Sequence, residues 1–197
     1  MKLEKAKDIA VKICYQLQPY CDKINIAGSI RRKKSEVKDI EIICVPKLDI
    51  VCQDNLFGEQ SEGIKILSEG FIKTVTSLGN IKKGKPEGKM MQIELPEWIM
   101  LDLFIPDDFD YYRQYAIRTG SAIYSHQVIA AGWLKIGWCG VSGIGLRRQS
   151  DCEGIKQPDG KIKWKLINKE GEKPPVWESE KEFFDWLKVP FINPVSR

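Results

Sequence analysis

The chain has 197 residues, a length that fits one domain or one compact body with a small appendage. Hydrophobic residues make up 43% and six are Trp, enough to build a core, so intrinsic disorder, collagen-like repeats and low-complexity chains are excluded. Thirty-one basic against 27 acidic residues leave a formal charge of +4, which permits a nucleic-acid partner without demanding one.

The longest apolar runs, residues 40–45 and 98–105, are too short and too charged to cross a bilayer. The opening Met1-Lys2-Leu3-Glu4-Lys5 has no apolar signal core. The expectation is a soluble intracellular protein without a membrane partner, either cytoplasmic or made by a virus or phage inside its host. The six Cys form no CxxC pair and the chain has one His, so the thiols are expected to be reduced and buried as small hydrophobes.

Leu3, Ala6, Ala10, Ile13 and Leu17 recur at three- and four-residue steps, with Lys5, Asp8, Lys12 and Gln16 opposite, which predicts an amphipathic helix stopped by Pro19. Residues 24–27 read as a short strand running into Gly28-Ser29. A basic stretch, Arg31-Arg32-Lys33-Lys34, precedes a second strand over 39–46, rich in β-branched residues and ended by Pro46. Ile64, Leu67 and Phe71 suggest a helix over 58–72. The Lys, Gly and Pro of 79–88 predict a turn region. Residues 90–95 and 99–105 read as two strands, and 122–136 as a helix ending at Gly137. Small strands and turns follow, with a last helix over 180–187.

Side chains alternate across a strand, so Asp39 and Glu41 share a face while Ile40, Ile42 and Cys44 point to the core. In the strand 99–105, Asp102 lies on the face opposite Leu101 and Leu103. Were the two strands neighbours, three carboxylates would converge, a set that suits oxygen-loving divalent cations. Taken alone, Asp-x-Glu is as readily the wet side of a half-exposed sheet. The order strand, Gly-Ser, Arg-Arg, Asp-x-Glu adds to the signal. Gly28 lets backbone approach a phosphate, Ser29 offers a hydroxyl, and Arg32 offers charge-assisted hydrogen bonds.

Gly28-Ser29-Ile30-Arg31-Arg32, six residues and then Asp39-Ile40-Glu41 resembles the signature of the DNA polymerase X family, within the polymerase beta-like nucleotidyltransferases. Met100-Leu101-Asp102-Leu103-Phe104 is similar to the strand that carries that family's third carboxylate, and Thr119-Gly120-Ser121 to its Thr-Gly-Ser turn. Residues 179–187, with Pro194 and Arg197, resemble its C-terminal helix and tail.

The resemblance implies an α+β fold: a nucleotidyltransferase palm over 1–116, a mixed sheet with flanking helices, and a small C-terminal nucleotide-selecting subdomain over 117–197. It implies nucleotide transfer from NTP or dNTP to a nucleic-acid 3′-hydroxyl, a DNA primer or gapped duplex, by a monomer using two Mg²⁺ that Mn²⁺ can replace. Asp39, Glu41 and Asp102 would be the catalytic metal ligands. Gly28, Ser29, Arg32, Thr119, Gly120 and Ser121 would bind the nucleotide. Glu41 stands where these polymerases have Asp, and the residues before Gly28 leave no room for the N-terminal lyase domain of larger relatives. Ile117-Arg118 replaces the family's aromatic pair, so weak sugar discrimination is expected. Ala122 and Ile129 replace polar residues that test the nascent base pair, so weak template dependence is expected. Two other readings remain open: transfer to a small-molecule or protein acceptor, and a non-catalytic nucleic-acid-binding module using Lys82, Lys83, Lys85, Lys89, Arg147 and Arg148. The sole His126 is expected at the surface, and Trp164, between lysines, could stack on a base or sit in an amphipathic strand.

Overall fold

The computed structural model describes residues 1–51 and 63–197. The three- and four-residue spacing of the first segment produces helix α1, Leu3–Leu17, which buries Ala6, Ala10, Ile13 and Leu17 on one face. Pro19 cannot donate the N–H that an α-helix would need, and the chain leaves through a single 3₁₀ turn, Gln18–Tyr20. Strand β1, Cys21–Ile26, runs into a one-turn helix α2, Gly28–Arg31, and then strand β2, Asp39–Pro46.

Strands β3, Leu48–Val51, and β4, Ile64–Leu67, pair antiparallel as a separate ribbon. The helix expected over 58–72 is therefore corrected: residues 58–62 lie outside the described residues, 64–67 are extended, and helix α3 occupies Glu69–Ser77. Ile64 and Ile66 are paired in β4, while Phe71 and Val75 supply the buried face of α3. Part of the turn region expected over 79–88 is also extended, as strand β5, Asn80–Lys83. Its backbone pairs with strand β6, Met90–Glu94, and those backbone bonds override the low strand propensity of its lysines. Strand β7, Met100–Phe104, completes a five-stranded mixed sheet in the order β1-β2-β7-β6-β5. Its neighbours are antiparallel except β2 and β7, which run parallel.

The alternation of these strands decides what lies on each face. Ile40, Ile42, Cys44, Leu101, Leu103, Met91 and Ile93 are buried in one cluster with the apolar faces of α1 and α3. The other face carries Asp39, Glu41, Asp102, Gln92 and Glu94, all half-buried. An α+β chain with a mixed five-stranded sheet, flanking helices and a further small sheet is the architecture expected from the sequence.

The described chain forms two compact units, Met1–Tyr111 and Tyr112–Arg197. The division falls at the start of helix α4, Tyr111–Thr119, ahead of the boundary expected after residue 116. In the second unit, α5, Ala122–Tyr124, continues through a π-helical stretch, Ser125–Ala130, into α6, Ala131–Lys135. Gly137, at φ +82°, lets the chain turn beyond the helix. Strands β8, Trp138–Val141, β9, Gly145–Arg148, β10, Cys152–Lys156, and β11, Ile162–Leu166, form a sheet in the order β10-β11-β8-β9. Helix α7 spans Glu180–Leu187, as its pattern predicted, with Ser179 accepting a hydrogen bond from the Glu182 N–H at 3.1 Å. Trp133, Trp138, Trp177, Phe183 and Phe184 pack in one core. Arg197 returns over the rings of Phe184 and Phe191, and its Nη1 donates to Glu180 at 2.6 Å out of contact with solvent.

Cys14, Cys21, Cys44, Cys139 and Cys152 are free thiols, and Cys52 lies outside the described residues. Burial pushes the Cys14 and Cys139 thiols up to about 12. The Cys44 thiol is raised by its hydrogen bond to Cys21 and then by burial. No helix among the described residues is long and apolar enough to cross a membrane.

Trp98 closes the β6–β7 turn with φ +59° and 88% of its surface exposed. A bulky side chain in the left-handed region costs roughly 1–2 kcal/mol, and at this exposure its ring contributes little packing in return. Trp98→Gly should therefore raise stability by up to about 1 kcal/mol, after the greater unfolded-state freedom of Gly is subtracted. A denaturant titration reads this as a higher midpoint at unchanged slope. A lower midpoint would show that the ring supports the turn.

Candidate functional site

The parallel pairing of β2 with β7 puts Glu41 directly opposite Asp102 and Asp39 opposite Met100. Antiparallel pairing then sets Gln92 of β6 opposite Asp102. Glu41, Asp102 and Gln92 thus form one row across three strands, with Asp39 two residues along on the same face. Like charges directly opposite one another destabilise a sheet, so each carboxylate needs a compensating contact.

Asp102 has one from Gln92, whose Nε2 donates to its Oδ1 at 2.9 Å. The Glu41 carboxylate lies against Gly28. Backbone at Gly28 takes φ +59°, and a Cβ placed there would stand 1.8 Å from Glu41 Oε2 and 2.7 Å from its Cδ. The missing side chain is what lets the Glu41 carboxylate lie against the start of α2. The main chain fixes this approach from both sides: Ala27 N–H donates to Glu41 O at 2.8 Å, and Arg32 N–H to Gly28 O at 3.1 Å. Arg32 is the C-terminal cap of this short turn and is half-buried. The Ser29 hydroxyl is buried and finds no hydrogen-bond partner among the described residues.

The structure therefore brings together Asp39, Glu41 and Asp102 on one sheet face, with Gly28 against Glu41 and Ser29 and Arg32 on the turn that Gly28 begins. Thr119, Gly120 and Ser121 belong to the second unit. Thr119 is fully buried. The Ser121 hydroxyl accepts from the Tyr124 N–H at 3.2 Å, capping α5. A Cβ on Gly120 would come within 2.7 Å of Ser125 Oγ, so this glycine permits tight packing of the turn. Ile129 is buried in the core of the second unit, whereas Ala122 and His126 are exposed. Ile129 therefore offers no surface for testing a base pair, and its apolar character has a packing reason.

Gln92 was invisible to the sequence reading. Its alternation with Met91 and Ile93 marks it as facing away from the core, but its partner follows only from the register of β6 on β7. Three of the six basic residues considered as a binding surface are paired with acidic side chains. Lys82 pairs with Glu94 at 2.8 Å, Lys89 pairs with Asp107, and Arg148 pairs with Glu172 at 2.7 Å while covering the Trp138 ring.

Three carboxylates on one face are an all-oxygen donor set, which fits Mg²⁺ or Mn²⁺. Among the described residues no three acidic, His or Cys side chains stand close enough to hold an ion as they lie. As they lie, the Glu41 carboxylate stands against Gly28 and Asp102 accepts from Gln92. A cavity of about 680 Å³ lies elsewhere, at the far ends of the same strands beside Val45, Pro46, Ile105 and Asp108. No protein-family model matches the chain, and no curated protein is similar enough to count as a relative.

Gly28→Ala should destabilise the chain by about 1–2 kcal/mol, because φ +59° is strained for any side chain. The added methyl also displaces the Glu41 carboxylate. Ala27→Gly, one residue away in extended backbone, lacks the second effect and serves as the comparison. Thermal unfolding of the two variants measures the difference; equal, small losses would show that nothing depends on the close approach at Gly28.

Proposed function

We propose that the chain is a metal-dependent nucleotidyltransferase of DNA polymerase X type, joining a nucleotide from an NTP or dNTP to a nucleic-acid 3′-hydroxyl. The observation that carries this reading is the register of β2 on β7, which aligns Glu41 with Asp102 and keeps Asp39 on the same face. Its second support is the Gly28 approach, which holds the Gly-Ser-x-Arg-Arg turn against that acidic row.

In the reaction, the 3′-oxygen attacks the α-phosphorus, the bond from that phosphorus to the β-phosphate oxygen breaks, and pyrophosphate leaves. Two divalent cations, when bound, would supply electrophilic activation of the hydroxyl and of the phosphates. Asp39 and Glu41, adjacent along β2, would hold both. Asp102, on the central strand, would lie nearest the attacking hydroxyl and take up its proton. The buried Ser29 hydroxyl would donate to a phosphate oxygen, and Arg32 would oppose phosphate charge. Thr119, Gly120 and Ser121, on a turn within the second unit, would be nucleotide-binding residues by the resemblance alone. Ala122, exposed and apolar, leaves base-pair checking to shape and pairing energy at that position.

Asp102→Asn keeps the side-chain volume and its place in the sheet, and removes a charged ligand and a proton acceptor. Primer extension with each NTP and dNTP in Mg²⁺ or Mn²⁺ should fall about a thousandfold or more, with the unfolding midpoint retained. Extension at the parental rate would overturn the assignment. Absence of extension by the parent, with nucleotide transferred instead to a protein or small molecule, would keep the acidic row and change the acceptor.

A further inference from the structure

The turn between β6 and β7 carries a tryptophan where hairpin geometry ordinarily asks for glycine or asparagine. Leu95 N–H donates to Ile99 O and Trp98 N–H to Leu95 O, both at 3.0 Å, so Leu95-Pro96-Glu97-Trp98 closes as a turn whose last residue takes φ +59°. A hairpin loop of this kind places a left-handed residue there, and glycine adopts it without strain. Trp98 is nonetheless 88% exposed, so the backbone is strained for a ring that the fold does not bury. Strain that packing does not offset is found where a function needs the geometry.

Trp98 lines an open cavity of about 250 Å³ with Gly79, Asn80, Glu94, Leu95 and Pro96. That volume is below the roughly 300–1,000 Å³ of clefts that take a drug-sized ligand, and it suits a single ring system. The start of β5 is held tightly against β6, since a Cβ on Gly79 would stand 2.2 Å from Glu94 O. Asn80 is exposed and stands opposite Glu94, Glu94 opposite Met100, and Met100 opposite Asp39. Residues directly opposite one another share a sheet face, so the cavity borders the face that carries the acidic row. Trp98 precedes Met100 by two residues and Asp102 follows it by two, which puts about 13 Å of chain between the turn and that acid.

A planar ligand laid on the indole would present its edge to Asn80, whose amide both donates and accepts. A flat ring with donors and acceptors on its edge is the chemistry of a nucleobase. Glu94 is paired with Lys82 at 2.8 Å, which offsets its charge beside a phosphate. A protein partner would cover about 800 Å² with an apolar centre, whereas Trp98 is flanked by Asn80, Glu94 and Glu97.

We infer that Trp98 is a stacking platform for a base of the nucleic-acid acceptor strand, with Asn80 at the edge of that base. The choice of a nucleic-acid ligand rests on the transferase reading above. The site lies outside the acidic row and holds the strand whose 3′ end is presented there.

The test is fluorescence anisotropy of a labelled single-stranded oligodeoxyadenylate titrated with the full chain in Mg²⁺, without nucleotide. Trp98→Gly removes the ring and relieves the backbone strain, so its weaker binding is not a symptom of unfolding. Affinity should fall about five- to hundredfold, while Trp98→Tyr stays near the parent. Asn80→Ala, at an exposed position, should weaken binding by a smaller factor and remains informative whatever the Trp98 variants do to stability. An abasic oligomer of the same length, and dATP titrated in its place, should each bind parent and Trp98→Gly alike. Parental affinity of Trp98→Gly for the base-bearing oligomer would overturn the assignment, and so would a dATP affinity that falls with the ring, which would put a free nucleotide there instead of a strand. A parent inactive in primer extension that still binds the oligomer through Trp98 would overturn the transferase reading and leave this site. An active parent whose binding ignores Trp98 would do the reverse.

Discussion

Two carboxylates held in register on neighbouring strands set the terms for the rest of the first unit. Glu41 and Asp102 sit on adjacent parallel strands in the middle of the sheet, where backbone pairing leaves them little freedom to separate. The opposite face of the same strands is packed against α1 and α3, so a one-residue slip that parted them would send Ile40, Ile42, Leu101 and Leu103 out of the core. Hydrophobic burial therefore enforces an electrostatically unfavourable arrangement. The Gln92 amide donates to Asp102, and the bare backbone of Gly28 leaves room for the Glu41 carboxylate. A sheet face that exists only to be wet needs neither.

What the sequence disclosed follows from the physics of each signal. Helix α1 and helix α7 were legible because their apolar spacing is sustained over several turns, and α7 also has a Ser179 cap with Glu182 reaching back to the Glu178 N–H. Strands β2, β6 and β7 were legible from alternation and from their bounding prolines and turns. Residues 64–67 misled because Ile64 and Leu67 satisfy a helical step as well as a strand, and four residues are too few to distinguish the periods. Strand β5 was hidden because its residues are polar and its stability comes from pairing with β6, which propensity does not encode. The same limit governs the site. Asp39 and Glu41 share a face by local geometry alone, whereas the alignment of Asp102 and the role of Gln92 depend on which strands become neighbours and in what register.

Thr119-Gly120-Ser121 illustrates how one motif can carry two kinds of information. Every side chain in it has a structural task within the second unit: Thr119 is buried, Gly120 admits Ser125 and Tyr124, and Ser121 caps α5. These tasks would hold a turn of this shape in place with or without a ligand, so the motif alone distinguishes a fold from an activity poorly. Asp39, Glu41 and Asp102 differ in this respect, since like charges set side by side on one sheet face oppose the fold.

The same comparison of cost with structural return separates the two units. In the core of the second unit, charge is matched: Arg197 meets Glu180 and lies against aromatic rings. On the β10–β11 ribbon it is not, because Lys156 and Lys163 face isoleucines across the strand pair. Solvation makes such exposed lysines inexpensive individually, and a lysine pair alone would carry little weight. Trp164 stands opposite Gly154 and packs near Cys139, Val141 and Cys152, so its ring covers bare backbone on the apolar side of the small sheet and its cost is returned as packing.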